Sequence, residues 1–284
     1  QGLVENVQIL SSNLVQNGDF SEQGAEEVSN GSFSQEGVQL ITNGDFATDT
    51  DWVKGTGWSI SGGSANCDGT QASNSLIYQN IGSQANKTVK FSFTVTNYVS
   101  GVLETAFFGA AGTIAETISA NGDYTFYINV QSGHNGNTGF TAKVGFTGSI
   151  DNVSVREVGQ DWTLGGEVTI GDNLAHFESN TNTYSYIRQD ISSLTTKTYK
   201  IQLEVKNYVS GEVQVLFKGS PSALQVLNVS SDGVYTAYLT PNANGDDLEV
   251  SRNFDGGNFN FDITNISVIE ITTDTNLPRI NYEG

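Results

Sequence analysis

The sequence predicts an all-β chain in which two tandem antiparallel β-sandwich modules follow a short leader of β-repeats. Three observations predict it: a 13-residue repeat near the N-terminus, a long self-match between two halves, and apolar residues alternating at period two. The 284 residues include 32 Gly and only 3 Pro, with abundant Asn, Ser and Thr. That is the usage of many short strands joined by tight turns. Hydrophobic residues make up 37%, with 15 Phe and 11 Tyr, enough for two cores.

The leader comes first. Asn17-Gly18-Asp19-Phe20, Asn30-Gly31-Ser32-Phe33 and Asn43-Gly44-Asp45-Phe46 recur every 13 residues, each after apolar residues such as Leu14, Val28 and Ile41. Asn-Gly is a tight-turn signal because both residues tolerate positive φ, so each unit reads as strand, turn, strand. Three such units hold too little chain to bury a core. The leader is therefore expected to lean on a neighbour or to self-associate with another chain.

The modules follow. Asp51-Trp52 and Asp161-Trp162 open segments that align at an offset of 110 residues without a gap through Gly101 and Gly211. Gln79 meets Gln189, and Asn97-Tyr98-Val99-Ser100-Gly101 recurs unchanged as Asn207-Tyr208-Val209-Ser210-Gly211. Near the end, Ile150-Asp151-Asn152-Val153-Ser154-Val155 matches Ile263-Thr264-Asn265-Ile266-Ser267-Val268. The resulting division is a leader at 1–38, modules at 39–158 and 159–271, and an exit linker at 272–284. Phe91, Phe93 and Val95 alternate with polar residues, as do Ile201, Leu203 and Val205, so each set marks a strand with one buried face. Tyr124–Val130 and Val234–Leu239 read as further strands.

Charge and missing motifs narrow the function. A formal net charge of −19 argues against nucleic acid as partner, because phosphate tracking needs a basic patch. No apolar run approaches the roughly 18 to 20 residues of a membrane span, so no membrane insertion is expected. Cys67 stands alone and forms no internal disulfide. His134 and His176 occupy non-equivalent positions and suggest neither a zinc set nor a nucleophile–base pair. The chain is not expected to be an enzyme. It starts at Gln1 without a signal-like segment and ends in Leu277-Pro278-Arg279-Ile280-Asn281-Tyr282-Glu283-Gly284, which reads as the entry to another unit of a larger polypeptide.

The opening Asn-Gly-Asp-Phe, a following Trp, a Gly-Trp at Gly57-Trp58 and the closing Ile-Asp-Asn-Val-Ser-Val together resemble the jelly-roll carbohydrate-binding modules of the family 4, 9 and 22 type. The leader repeats, the Asp-Trp modules and the Leu-Pro-Arg-Ile exit also resemble bacteriophage tail-fibre or related virion structural proteins. The resemblance implies a non-catalytic carbohydrate-binding or adhesion segment, located extracellularly or on a virion surface, with a glycan or polysaccharide as partner. It also implies a structural calcium ion clipping the terminal strands, with Asp151 and either Asp45 or Asp49 as candidate ligands. The second copy departs from that pattern: Thr264 replaces Asp151, no Asn-Gly-Asp-Phe directly precedes Asp161, and only Asp262 stands nearby.

Sugar recognition needs flat aromatic faces flanked by hydrogen-bonding groups. The candidates are Trp52, Trp58, Tyr78 and Tyr98 in the first copy, and Trp162, Tyr184, Tyr186 and Tyr208 in the second. Trp58 becomes Val168 and Tyr78 becomes Arg188 in the second copy, which favours binding in the first. The competing expectations are a purely structural virion spacer and an accessory module of a secreted polysaccharide-degrading enzyme. Exposure of Trp58 and Tyr78 favours glycan binding; their burial favours the spacer.

Overall fold

In the computed structural model, the described residues are 15–16, 24–111, 113, 115–179, 183–219, 222–252, 258–271 and 279–280. Among them the chain is all-β, with four five-stranded antiparallel sheets forming two sandwich modules. No described helix is long and apolar enough to cross a membrane. Two compact units emerge: Ser32–Asp161 with Thr169–His176, and Gln1–Gly31 with Trp162–Val168 and Phe177–Gly284.

Strand β1 (Val15–Gln16) lies in the leader. The first module contains β2 (Val53–Lys54), β3 (Trp58–Ser61), β4 (Ser64–Asp68), β5 (Ser75–Asn80) and β6 (Thr88–Ser100). It continues with β7 (Leu103–Phe107), β8 (Thr117–Ile118), β9 (Gly122–Asn129), β10 (Asn137–Ala142) and β11 (Thr147–Val158). One sheet has the order β2-β5-β10-β7-β8, the other β3-β4-β11-β6-β9. The period-two reading holds on β6, where Phe91, Phe93 and Val95 are all buried. Phe91 and Phe93 meet Phe140 of the opposite sheet at 5.2 and 4.8 Å between ring centroids, so aromatic rings fill the space between the layers.

The second module repeats this plan. Its strands are β12 (Thr163–Gly165), β13 (Val168–Gly171), β14 (Leu174–Ser179), β15 (Tyr186–Gln189) and β16 (Tyr199–Ser210). They continue as β17 (Val213–Lys218), β18 (Ala223–Leu227), β19 (Gly233–Leu239), β20 (Asp247–Arg252) and β21 (Phe259–Glu270), before β22 (Arg279–Ile280). The sheet orders are β12-β15-β20-β17-β18 and β13-β14-β21-β16-β19. Ile201, Leu203 and Val205 of β16 are buried as expected, and Tyr199 meets Phe217 of the facing sheet at 5.4 Å.

The motifs shared by both copies have structural work. Asn97 and Asn207 take φ of 52° and 49°, and the hydroxyls of Tyr98 and Tyr208 donate to the carbonyls of Gly101 and Gly211 at 3.0 and 3.1 Å. The pentapeptide is a corner that closes on itself. Gly101 sits at φ +83°, and a Cβ there would lie 2.4 Å from the Phe146 Cα. In the closing motif, Asn152 and Asn265 adopt φ of 53° and 48° where the β6–β11 and β16–β21 ladders shift register. Asparagine is placed there because it tolerates left-handed backbone at a bulge.

The described leader repeats lean on neighbours, as expected, but not as strand–turn–strand hairpins; each edges a closing strand. In the third repeat, Leu40 N–H donates to the Val155 carbonyl, Val153 N–H donates to Gly44, and Trp52 Nε1 donates to Asn43 at 3.0 Å. In the second repeat, Glu27 N–H donates to Val268, Ile266 N–H donates to Gly31, and Trp162 Nε1 donates to Asn30 at 3.0 Å. The second module therefore does have an Asn-Gly opening, Asn30-Gly31, supplied from ahead of the first module. The Gly residues are required by closeness rather than by φ: a Cβ on Gly44 or Gly31 would lie 2.0 Å from the Val153 or Ile266 carbonyl oxygen. Asn43, Phe46, Asn30 and Phe33 carry the positive φ instead. Asn17-Gly18-Asp19-Phe20 and most of the exit segment lie outside the described residues.

Candidate functional site

Alternation on a sandwich strand sends every second side chain outward. On β20, Leu248 and Val250 face the core, so Glu249 belongs to the outer face of its sheet, yet it is fully buried. Two side chains bond it. Arg188, opposite it on β15, donates from Nε and Nη2 to Glu249 Oε2 at 3.0 and 2.5 Å. The Tyr184 hydroxyl donates to Glu249 Oε1. A buried carboxylate is tolerable only when its charge is matched and its lone pairs are filled, and this one meets both conditions.

Aromatic surface surrounds that pair. Tyr184 and Tyr186 lie 5.3 Å apart between ring centroids, the Arg188 guanidinium sits 4.5 Å over the Tyr186 ring, and the exposed Lys218 ammonium stands 5.5 Å from the Tyr184 ring. Gly165 makes room for Tyr186, since a Cβ there would come 2.2 Å from the ring. Burial, and then the hydrogen bond to Glu249, push the Tyr184 hydroxyl up to about 12, so it remains a donor through neutral pH. Asp247 is a second, longer partner of Arg188 at 3.9 Å. Two half-buried tyrosines, a fixed guanidinium and a carboxylate thus converge on one outward sheet face.

The equivalent face of the first module has different chemistry. Tyr78 occupies the Arg188 position and Gly139 the Glu249 position, as the strand registers fix. Tyr78 is half-buried and meets Phe108 edge-on at 5.5 Å. It borders a groove of about 480 Å³ with Lys54, Thr56, Thr70, Asn74 and Leu76. Gln71, also in the groove wall, is buried and donates to the Lys143 and Phe146 carbonyls at 3.0 and 3.1 Å. Cys67 donates to its Oε1 from beneath, and burial pushes that thiol up.

The other anticipated ligand residues fall elsewhere. Trp52, Trp58 and Trp162 are each 7% exposed. Trp52 packs on Phe46 and Trp58 on Phe146. Tyr98 and Tyr208 close the two corners. Of the aromatic residues anticipated for glycan contact, Tyr78 and Tyr186 lie on outward sheet faces, with Tyr184 beside the latter. Arg188, Glu249 and Lys218 were missed; the one available signal was a glutamate inside the apolar run Leu248-Glu249-Val250.

The three carboxylates anticipated as calcium ligands each have another partner. Asp45 is exposed and accepts from Ala47 N–H at 3.3 Å, Asp49 pairs with Lys54, and Asp151 accepts from Asn152 N–H at 2.6 Å. Asp262 accepts from Asn207 at 2.6 Å. Among the described residues, no three His, Cys, Asp or Glu side chains cluster as a metal set. Backbone bonds such as Val153 to Gly44 also join the opening segment to the closing strand.

No family model matches the chain, and no curated protein matches it. Solved structures similar to it include the CBM22-1-CBM22-2 tandem domain of Paenibacillus barcinonensis Xyn10C, at 12% identity and TM-score 0.34, over 84% of this chain and 99% of that one. An arabinose-bound MgGH51 α-L-arabinofuranosidase matches at 15% identity and TM-score 0.34, over 43% of this chain but only 25% of the enzyme. The Sulfolobus turreted icosahedral virus structure matches at 15% identity and TM-score 0.25, over 78% of this chain and 60% of that one. The likeness is one of β-sandwich architecture. No residue role passes across it.

Proposed function

We propose that this chain is a non-catalytic glycan-binding segment whose principal contact is the outward face of the β12-β15-β20-β17-β18 sheet. The observation that carries the reading is the Arg188–Glu249 pair, set against two adjacent half-buried tyrosine rings on the outward face of this sheet. Tyrosine faces stack on the C–H faces of a pyranose, while the guanidinium that the buried Glu249 holds in place donates to ring hydroxyls in plane. The site sits in the second module, although the sequence favoured the first. The Tyr78–Phe108 face of the first module is a separate, more apolar contact of the same kind. Display of several such faces raises effective concentration without new contacts, which suits an adhesive fibre or virion surface.

A polysaccharide and glycan array tests this with wild type, Tyr186→Ala and Arg188→Ala. Binding by wild type that falls at least about tenfold in both variants, roughly 1.4 kcal/mol, is expected. Absence of any wild-type binding would sink the reading. It would leave the structural spacer, which the burial of Trp52, Trp58 and Trp162 favours.

A further inference from the structure

The two modules differ at a pair of equivalent outward positions. Thr138 pairs with Phe107 as Leu248 pairs with Phe217, which makes Phe108 the counterpart of Lys218, just as Tyr78 is the counterpart of Arg188. At these positions the first module presents two rings in edge contact at 5.5 Å. The second presents two cations, each over a ring of its own. Arg188 lies 4.5 Å from the Tyr186 centroid and Lys218 5.5 Å from that of Tyr184.

Acidic residues outnumber basic ones 31 to 12, so a lysine of this chain readily finds a carboxylate. Lys54, Lys87, Lys90, Lys143, Lys197 and Lys206 each pair with one. Lys218 is an exception: it is exposed at the end of β17 and makes no ion pair among the described residues. Its cross-strand neighbour Asp247 partners Arg188 instead, at 3.9 Å. Glu249 accepts from Nε and Nη2 of Arg188, which leaves Nη1 without an acceptor among the described residues. The Arg188 side chain keeps 22% exposure, while that of Glu249 has none. A ligand on this face can therefore touch both cations, but of these two carboxylates only Asp247. An ammonium over an aromatic ring has donors to spare for an anion, and bonds between opposite charges are the strong ones.

Resting on the reading of this face as a glycan-binding surface, we propose that it selects glycans with an anionic substituent, a uronic carboxylate or a sulfate ester, and that Lys218 is the selecting contact. The Tyr78–Phe108 pair of the first module offers no cation at these two positions. The net charge of −19 does not oppose the selection, because at physiological salt charges beyond about 8 Å are screened and the local contact decides.

The test measures binding of the full chain to matched polymers: polygalacturonate against its methyl ester, and dextran sulfate against dextran. Wild type is expected to bind at least one anionic form at least about tenfold more tightly than its neutral match, the size of one charge-assisted contact. Lys218 is exposed, so its variants keep the fold. Lys218→Gln is expected to lose the preference and Lys218→Arg to retain it. Raising salt from about 0.1 M to about 1 M, over which the Debye length falls from about 10 to about 3 Å, is expected to close the gap between wild type and Lys218→Gln. Which anionic polymer is preferred separates carboxylate from sulfate. Equal binding of charged and neutral forms, still lost in Tyr186→Ala, would overturn this proposal and leave the glycan-binding face standing. A preference that survives Lys218→Gln would overturn it as well. No binding to any of the polymers would overturn both.

Discussion

Gly44 and Val153 are joined so closely that the Val153 N–H donates to the Gly44 carbonyl at 2.8 Å while a Cβ on Gly44 would fall 2.0 Å from the Val153 oxygen. Only glycine fits this contact, and the obstacle is backbone, which cannot swing aside. Gly44→Val is therefore expected to lift the opening strand from the first module and destabilise that module by about 1–3 kcal/mol, the usual range for forced overpacking. The second module, whose own strand is held at Gly31, should keep its transition. Calorimetry of the full chain resolves this; equal loss in both transitions would show that the repeats are not assigned one to each body.

The Tyr184–Glu249 contact makes the second module sensitive to alkali. The folded-state value of Tyr184 is raised to about 12 from an ordinary 10.0, so the protonated hydroxyl is favoured by folding. That contribution is present in full below pH 10.0 and disappears as pH rises through about 12. Melting temperature of the second module should fall across this window, and Tyr184→Phe should flatten the fall. Glu249→Gln should make the fall smaller and end it at lower pH, because the carboxylate is one cause of the shift. A slope unchanged in Tyr184→Phe would assign the transition to other groups.

Much of the fold could be read from residue order, because period-two alternation and a gapless repeat are local signals. Phe91, Phe93 and Val95 announced their strand, and Asn97–Gly101 announced a shared feature, though not that it was a corner. The partner of the second repeat was not legible. Nothing in the spacing of Asn30-Gly31 shows that its partner is Ile266 rather than a nearer strand. Burial of Trp58 was likewise hidden, since a flat apolar ring serves a core and a sugar equally well. Arg188 looked like the loss of Tyr78; its value depends on Glu249, which reaches it only across a strand pair.

Calcium removal discriminates between two ways of holding the terminal strands. Asp45, Asp49 and Asp151 are engaged separately, by a turn amide, a lysine and a neighbouring amide. The first and last strands of the first module are held by backbone bonds and by Gln39. Addition of a chelator is expected to leave both melting transitions in place. A fall of several degrees, restored by calcium but not magnesium, would require a cage that these carboxylates do not form here.

Trp58 and Tyr78 separate stability from recognition within the first module. Trp58 is buried against Phe146, and its indole N–H meets no acceptor among the described residues, so packing is its main contribution. Trp58→Ala is expected to cost about 3–5 kcal/mol of first-module stability, as large aromatic deletions in cores do. Tyr78 is half-buried at the groove beside Phe108, where truncation removes contact surface rather than core. Tyr78→Ala should cost under about 1.5 kcal/mol while weakening any glycan contact of this face. Denaturant titration and binding measured on both variants distinguish the roles. If Trp58→Ala lost binding while retaining full stability, the ring would have to be reached by ligand, and the core assignment would fail.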